Sequence, residues 1–218
     1  MLNLVRKELK LSINKFFFIL PFILGLLFFI PGWIYLLVFM YFFWISVPQI
    51  YSAYLNQKDY DFVSILPVSK KAVVTSKIIA ILLIEGLHVL FAVIFGVIHN
   101  LIYGSWNLFM DINYAFFGVG ILMFGVFNIV FLPAYFKTAY FFGKPLIKGT
   151  IATVIYGFIF EFGAIYSLSH PDSFGWVHTL LEGPVSTQII VLIISVTASA
   201  ILSFIALKKS IHHYESII

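Results

Sequence analysis

The chain has 218 residues, of which 62% are hydrophobic and only 10% are charged. A soluble domain is about 45–50% apolar and about 25% charged because its water-facing surface must be polar, so this composition predicts an integral membrane protein. The chain has no cysteine, which excludes disulfides, thiolate metal sites and cysteine nucleophiles.

The first predicted element is an amphipathic helix over residues 1–15. On a helical wheel Leu2, Val5 and Leu9 share one side, and basic residues such as Arg6 and Lys7 lie beside them. Such a helix would lie among the lipid headgroups, with its basic side chains against anionic lipid. A plain basic flank before the first membrane span is the alternative.

The stretches between charged residues predict six spans. No charged residue occurs between Lys15 and Lys58, and at about 1.5 Å per residue this stretch can cross a hydrocarbon core about 30 Å thick twice. Pro31-Gly32 marks the turn. The later stretches lack the alternation of barrel strands, so we expect an all-α membrane domain over 16–207. Its six transmembrane helices are predicted over 16–30, 33–55, 72–99, 113–136, 149–167 and 188–207, followed by a tail over 208–218.

The apolar run of the first predicted span is shorter than the roughly 20 residues that a crossing needs. A re-entrant hairpin is the alternative there. The segment Pro31-Gly32-Trp33 offers no small-x-small cleavage site, so we interpret the N-terminal segment as a retained span rather than a secretory signal.

The basic residues predict the orientation. All 13 lie before the first span, between the second and third, between the fourth and fifth, or after the sixth. With six spans these four groups share one face, and the loops of the other face carry only Asp111, Asp172 and Glu182. The excess of basic residues in cytoplasmic loops therefore predicts that both termini are cytoplasmic.

The loop after the second span combines acidic residues with large apolar ones. We expect a short helix there, a break at Pro67, and a third span capped by Ser69, with Val68 and Val73 as a hydrophobic staple. Exposed apolar side chains in such a loop indicate a surface for a partner protein. Packing of the same residues beneath the protein's own membrane face is the alternative.

A family resemblance is carried by this loop. The segment Asp61–Lys77, with Ser64-Ile65-Leu66-Pro67-Val68-Ser69-Lys70-Lys71 at its centre, resembles the membrane subunits of ABC-2-type exporters. The most similar branch is that of the small permeases of staphylococcal phenol-soluble modulin and antimicrobial peptide exporters. The segment Leu132-Pro133-Ala134-Tyr135-Phe136-Lys137 is similar to the exit of helix four in that family. With the basic start, the six spans and the long outer loop, the resemblance covers nearly the whole chain.

The resemblance implies a permease subunit of an ATP-driven exporter of amphipathic, cytolytic or antimicrobial peptides in a bacterial plasma membrane. It implies a second permease subunit, identical or related, and a cytoplasmic ABC ATPase that binds ATP and Mg²⁺, so that this chain itself holds no cofactor and binds no nucleic acid. The implied ATPase-coupling residues are Asp59, Tyr60, Asp61, Phe62, Ile65, Leu66 and Pro67. An outer gate is implied over 168–187, for which an interfacial cap with Trp176 at the headgroups is the alternative.

Two acidic residues lie inside predicted spans, Glu85 in the third and Glu161 in the fifth, and intramembrane acids are functional candidates because burying a charge in lipid is costly. Glu85 and His88 have the Glu-x-x-His spacing of di-iron bundles, but such a bundle needs two of these motifs and two further glutamates. We therefore favour a neutral Glu85, hydrogen-bonded to His88 or to a neighbouring helix, over a metal site. Glu161 would line a cavity or pair with a tyrosine, and Asn128 is a further pathway candidate.

The missing motifs limit the functions. The sequence has no Gly-x-x-x-x-Gly-Lys-Ser/Thr phosphate loop, so the chain cannot itself hydrolyse ATP, and we expect no enzyme. A membrane enzyme or receptor has little support, since His-Glu-x-x-His and Gly-x-Ser-x-Gly are also missing. The alternative function is an ion- or proton-coupled carrier that uses Glu85 and Glu161. Leu66→Asp should uncouple an exporter from its ATPase and should change a carrier little.

Overall fold

The structure, a computed structural model, describes residues 2–65, 67–138 and 141–216, and all regular elements in these ranges are helical. Together with the apolar composition, this confirms an all-α integral membrane protein. The helices of the described ranges are α1 (Leu2–Ser12), α2 (Phe16–Phe29), α3 (Leu36–Asn56), α4 (Asp59–Ser64), α5 (Lys70–Tyr103), α6 (Tyr114–Lys137), α7 (Gly143–Ser169), α8 (Pro171–Leu181) and α9 (Val185–Glu215).

Five of these helices, α3, α5, α6, α7 and α9, are long and apolar enough to cross a bilayer. Helix α2 has 14 residues and is about 21 Å long, which is shorter than the hydrocarbon core. It qualifies only together with α1, from which it is bent by 75°. The described ranges therefore contain five spans, or six when the bent pair α1–α2 counts as one.

Helix α6 forms the centre of the bundle. In its most apolar stretch 67% of the residues are buried, compared with 22% in α7 and in α9. Helix α9 packs closely along α6, since a Cβ added at Gly125 would lie only 2.7 Å from the Cα atom of Ser199. Gly118 faces the Leu192 backbone of α9 in the same way. Small residues let the two backbones approach, which is how helices associate in a bilayer where the hydrophobic effect gives no net attraction.

Aromatic side chains fill the space between α3 and α6. Phe43 stacks on Phe127, with ring centroids 4.2 Å apart. Phe127, Phe131 and Tyr135 continue as a stack along α6, at 4.9 and 5.7 Å. Tyr51 of α3 meets the ring of Tyr135 edge-on at 4.4 Å. Such pairs add to the stabilisation that burial of the rings provides, and they join α3 and α6 into one packed unit.

Helical structure also occurs outside the predicted spans, in the 168–187 segment and after residue 207. The segment 168–187 contains helix α8, which begins at Pro171, a favourable residue for the first turn of a helix. Helix α9 continues beyond residue 207 to Glu215, because neither proline nor glycine interrupts the chain there. The predicted turn at Pro31-Gly32 falls in the break between α2 and α3, where Gly32 has a φ of 69°.

Candidate functional site

Helix α4 presents two different faces. The chain enters it through Lys58, which has a left-handed backbone conformation (φ 50°) between α3 and α4. Asp59 and Val63 lie one turn apart and are buried, whereas Phe62 and Ile65 are 50% and 78% exposed. One face of this short helix therefore packs on the protein, and the other leaves two large apolar side chains uncovered.

The buried face of α4 is held by four charged side chains, which we call the ion-pair cluster: Lys7 and Glu8 of α1, Asp59 of α4 and Lys77 of α5. The carboxylate of Asp59 lies 2.6 Å from Lys7 Nζ and 2.5 Å from Lys77 Nζ. Glu8 lies 3.1 Å from Lys7 Nζ and 3.4 Å from Lys77 Nζ. Helices α1, α4 and α5 thus meet at one point, although Lys7 of α1 is 52 residues from Asp59 of α4 in the sequence.

The ion-pair cluster is electrically balanced, with two cations and two anions. Burial by itself would raise the pKa of the Asp59 carboxyl, but the charges of Lys77 and Lys7 outweigh it and hold that pKa below its ordinary value. Burial would also lower the pKa of the Lys7 ammonium, but Asp59 and Glu8 outweigh it and raise that pKa. Asp59 and Lys7 are therefore charged at neutral pH, and the opposite charges within the cluster offset part of the cost of burying them.

Lys77 joins the ion-pair cluster to the aromatic core. Its side chain is fully buried, and its Nζ atom lies 3.6 Å from the centroid of the Tyr54 ring, in a cation–π contact. Tyr54 meets Tyr51 edge-on at 5.7 Å, and Tyr51 contacts the stack on α6 through Tyr135. A displacement of α4 would therefore act directly on α1 and α5, and through aromatic contacts on α3 and α6.

The sequence-predicted coupling residues fall on different parts of this surface. Asp61 and Pro67 are exposed beside Phe62 and Ile65, whereas Asp59 belongs to the ion-pair cluster. Leu66 and the side chain of Tyr60 lie outside the described residues. Ser69 caps α5 as predicted, because its hydroxyl oxygen accepts a hydrogen bond from Ala72 N at 3.2 Å.

Sequence reasoning missed Lys7, Glu8, Tyr54 and Lys77 as site residues. They are separated from Asp59 by up to 52 positions, and no local spacing connects them. Two signals could have pointed to them. Glu8 is the only acidic residue of the basic first segment, and Lys77 lies two turns inside a span that is otherwise nearly uncharged.

The intramembrane polar residues form two separate arrangements. The carboxylate of Glu85 accepts a hydrogen bond from Asn128 Nδ2 of α6 at 3.1 Å, and the same nitrogen lies 3.3 Å from Ser203 Oγ of α9. Glu85 therefore pairs with a neighbouring helix and not with His88, whose Nε2 donates to the Val38 carbonyl oxygen at 2.8 Å. Of the two partners that the sequence allowed for Glu85, the contacts favour the neighbouring helix over His88.

Glu161 has a different environment. Its carboxylate accepts a hydrogen bond from Met110 N, in the connection between α5 and α6, at 3.1 Å, so its partner is a backbone amide and not a tyrosine. Among residues 2–65, 67–138 and 141–216, no group of three histidine, aspartate or glutamate side chains could hold a metal ion.

Within the 168–187 segment, Trp176 is 63% exposed and His178 pairs with Glu182 at 3.2 Å.

A bundle of five or six spans, with a short helix anchored beside it by buried ion pairs, defines a multi-pass membrane protein. The chain matches the family model described as "ABC-2 family transporter protein" over residues 3–215, and it belongs to that family. It is thus a membrane permease component of an ABC transporter, a class that associates with ATPase subunits and is not itself the ATPase. No curated protein and no solved structure gave a significant match.

Proposed function

We propose that the chain is the permease subunit of an ATP-driven exporter and that a separate cytoplasmic ATPase docks on the exposed face of α4. The observation that carries this proposal is the contrast between the two faces of α4. Phe62 is 50% exposed on α4, with its ring centroid 5.9 Å from Lys7 Nζ, and Ile65, directly after α4, is 78% exposed, whereas Asp59 is held in the ion-pair cluster. Exposed apolar side chains on a rigid element are typical of protein interfaces.

Docking at α4 would allow a movement of the ATPase on ATP binding to be transmitted to the membrane helices. Closure of the ATPase would displace α4, and the buried ion pairs would pass this displacement to α1 and α5. The contact between Lys77 and Tyr54 would pass it to the aromatic stack. Buried pairs suit this role because their separation is strongly disfavoured, so the connected helices move together.

The permease would act with a second copy of itself or with a related chain. Helices α7 and α9 leave most of their surface uncovered within one chain, and lipid and a second permease subunit would share that surface. The basic loops orient both termini toward the cytoplasm of a bacterial cell. The cargo we propose is an amphipathic cytolytic or antimicrobial peptide, a proposal that rests on the resemblance to peptide exporters.

The test is a reconstitution of the permease with its ATPase in proteoliposomes. Ile65→Asp and Phe62→Asp should each abolish the stimulation of ATP hydrolysis by the permease, while permease insertion stays normal. Phe141→Asp is the matched control, since Phe141 is a 56% exposed apolar residue of another basic loop. Transport by the chain alone, driven by a pH gradient and unaffected by the α4 variants, would overturn the proposal in favour of a carrier that uses Glu85 and Glu161.

A further inference from the structure

A groove runs between α5 and α9, with α6 as its floor. It consists of two adjoining cavities of about 510 and 560 Å³, which share Phe204 and Leu207 as lining residues. The deeper cavity is lined almost entirely by apolar side chains and includes Ile78 and Val89 of α5. The groove is open at the side of the bundle, so a ligand can enter it from the bilayer.

The shallow end of the groove is basic. Lys71 and Lys208 line it together with Thr75, Ile211 and the carboxylate of Glu215. Lys208 Nζ lies 4.6 Å from the Phe204 ring centroid, which places the ammonium at the edge of the groove. Two ammonium groups outweigh one carboxylate there, so the mouth of the groove favours an anion.

The length of the groove corresponds to one leaflet. From Ile78 to Val89 the rise along α5 is about 16 Å, and half of a hydrocarbon core about 30 Å thick is about 15 Å. At the deep end Glu85 Oε1 is buried without a hydrogen-bond partner among the described residues. Beside it, the position of a Cβ atom at Gly86 is open space. The groove is thus apolar along a leaflet's depth and closed by polar groups near the middle of the bundle.

We propose that this groove binds one phospholipid with an anionic headgroup, taken from the leaflet on the side of the basic loops. Its phosphate lies between Lys71 and Lys208, and one acyl chain follows α5 and ends beside Gly86. The site does not depend on the proposed ATPase contact.

The test is native mass spectrometry of the purified protein, titrated with phosphatidylglycerol or phosphatidylcholine of the same acyl chains. One phosphatidylglycerol per chain should bind in preference to phosphatidylcholine. A lysine near an anionic lipid contributes about fivefold in affinity, so the double variant K71Q/K208Q should lose about 25-fold for phosphatidylglycerol. Gly86→Trp should reduce the binding of both lipids by filling the acyl-chain path.

Two variants serve as controls. Lys15→Gln removes an exposed charge away from the groove, and Gly175→Trp adds an indole at another glycine with open space around it. Neither should change lipid binding at this site. Equal retention of both lipids, or unchanged retention in K71Q/K208Q and Gly86→Trp, would overturn the proposal. A cationic amphipathic peptide that competes with lipid for the groove, and is itself blocked by Gly86→Trp, would also overturn it.

Discussion

Replacement of Asp59 by asparagine tests whether the ion-pair cluster anchors α4. The side chain keeps its size and loses its charge, so Lys77 loses the carboxylate at 2.5 Å and keeps its contact with Glu8 at 3.4 Å. Removing one member of a buried ion pair costs about 3–5 kcal/mol. Because Lys7 is 20% exposed and keeps its contact with Glu8, we expect the lower end of this range, about 3 kcal/mol.

Hydrogen–deuterium exchange of the α4 amides in nanodiscs measures this cost directly, since it reports the free energy of local opening. A loss of about 3 kcal/mol corresponds to a roughly hundredfold larger open fraction. Asp61→Asn is the matched control on the exposed side of the same helix, and it should cost less than about 1 kcal/mol. Equal exchange in the Asp59→Asn and Asp61→Asn proteins would refute the anchoring role.

A double-mutant cycle separates the ion pair from other effects of the substitution. The variant Asp59→Asn/Lys77→Gln removes one charge of each sign and leaves Lys7 paired with Glu8. Its destabilisation should be smaller than the sum of the two single variants, with an interaction energy of about 1–3 kcal/mol. A purely additive result would mean that the two side chains do not act as a pair.

Three further predictions follow from single features of the structure. Gly125→Ala should destabilise the protein by about 1–3 kcal/mol through overpacking against the α9 backbone, lowering the thermal midpoint in detergent, whereas Gly175→Ala should not. The stabilisation of α4 by the charge of Asp59 is complete above the ordinary pKa of 3.8 and is lost as the pH falls through the lower pKa that Asp59 has in the folded state. The stabilisation by the charge of Lys7 is complete below pH 10.5 and is lost as the pH rises through the higher pKa that Lys7 has in the folded state. The opening free energy of α4 should therefore be constant between about pH 5 and about pH 7 and fall below about pH 4; a change near pH 6 would contradict this. Lys58→Gly should stabilise the α3–α4 turn by up to about 1 kcal/mol, because glycine adopts a positive φ without steric cost; slower exchange of the following amides would show it, and faster exchange would contradict it.

The membrane fold could be predicted from the sequence because charge spacing and hydropathy directly reflect the cost of placing charges in lipid. The N-cap of α5 was predictable for a similar reason, since Ser69 acts on its own first turn. The first span was harder, because the bend between α1 and α2 depends on packing and not on composition. The location of α4 could be predicted, but its division into an anchored face and an exposed face could not.

The ion-pair cluster could not be predicted because it depends on tertiary contacts. Lys7 and Lys77 lie 70 positions apart, and their common contact with Asp59 follows from how α1 packs on α5. The partners of Glu85 depended in the same way on the position of α6 relative to α5. Local spacing offered His88, and packing provided Asn128 instead.

Site-specific photo-crosslinking in native membranes tests the central claim, docking of the ATPase on α4, most directly. A photoreactive amino acid at position 65 should yield a covalent adduct with a cytoplasmic ATPase. The same probe at Trp106, which is 76% exposed in the connection between α5 and α6, should not. An adduct with the ATPase at position 106 and none at position 65, or adducts at neither position in membranes that still transport, would contradict the account.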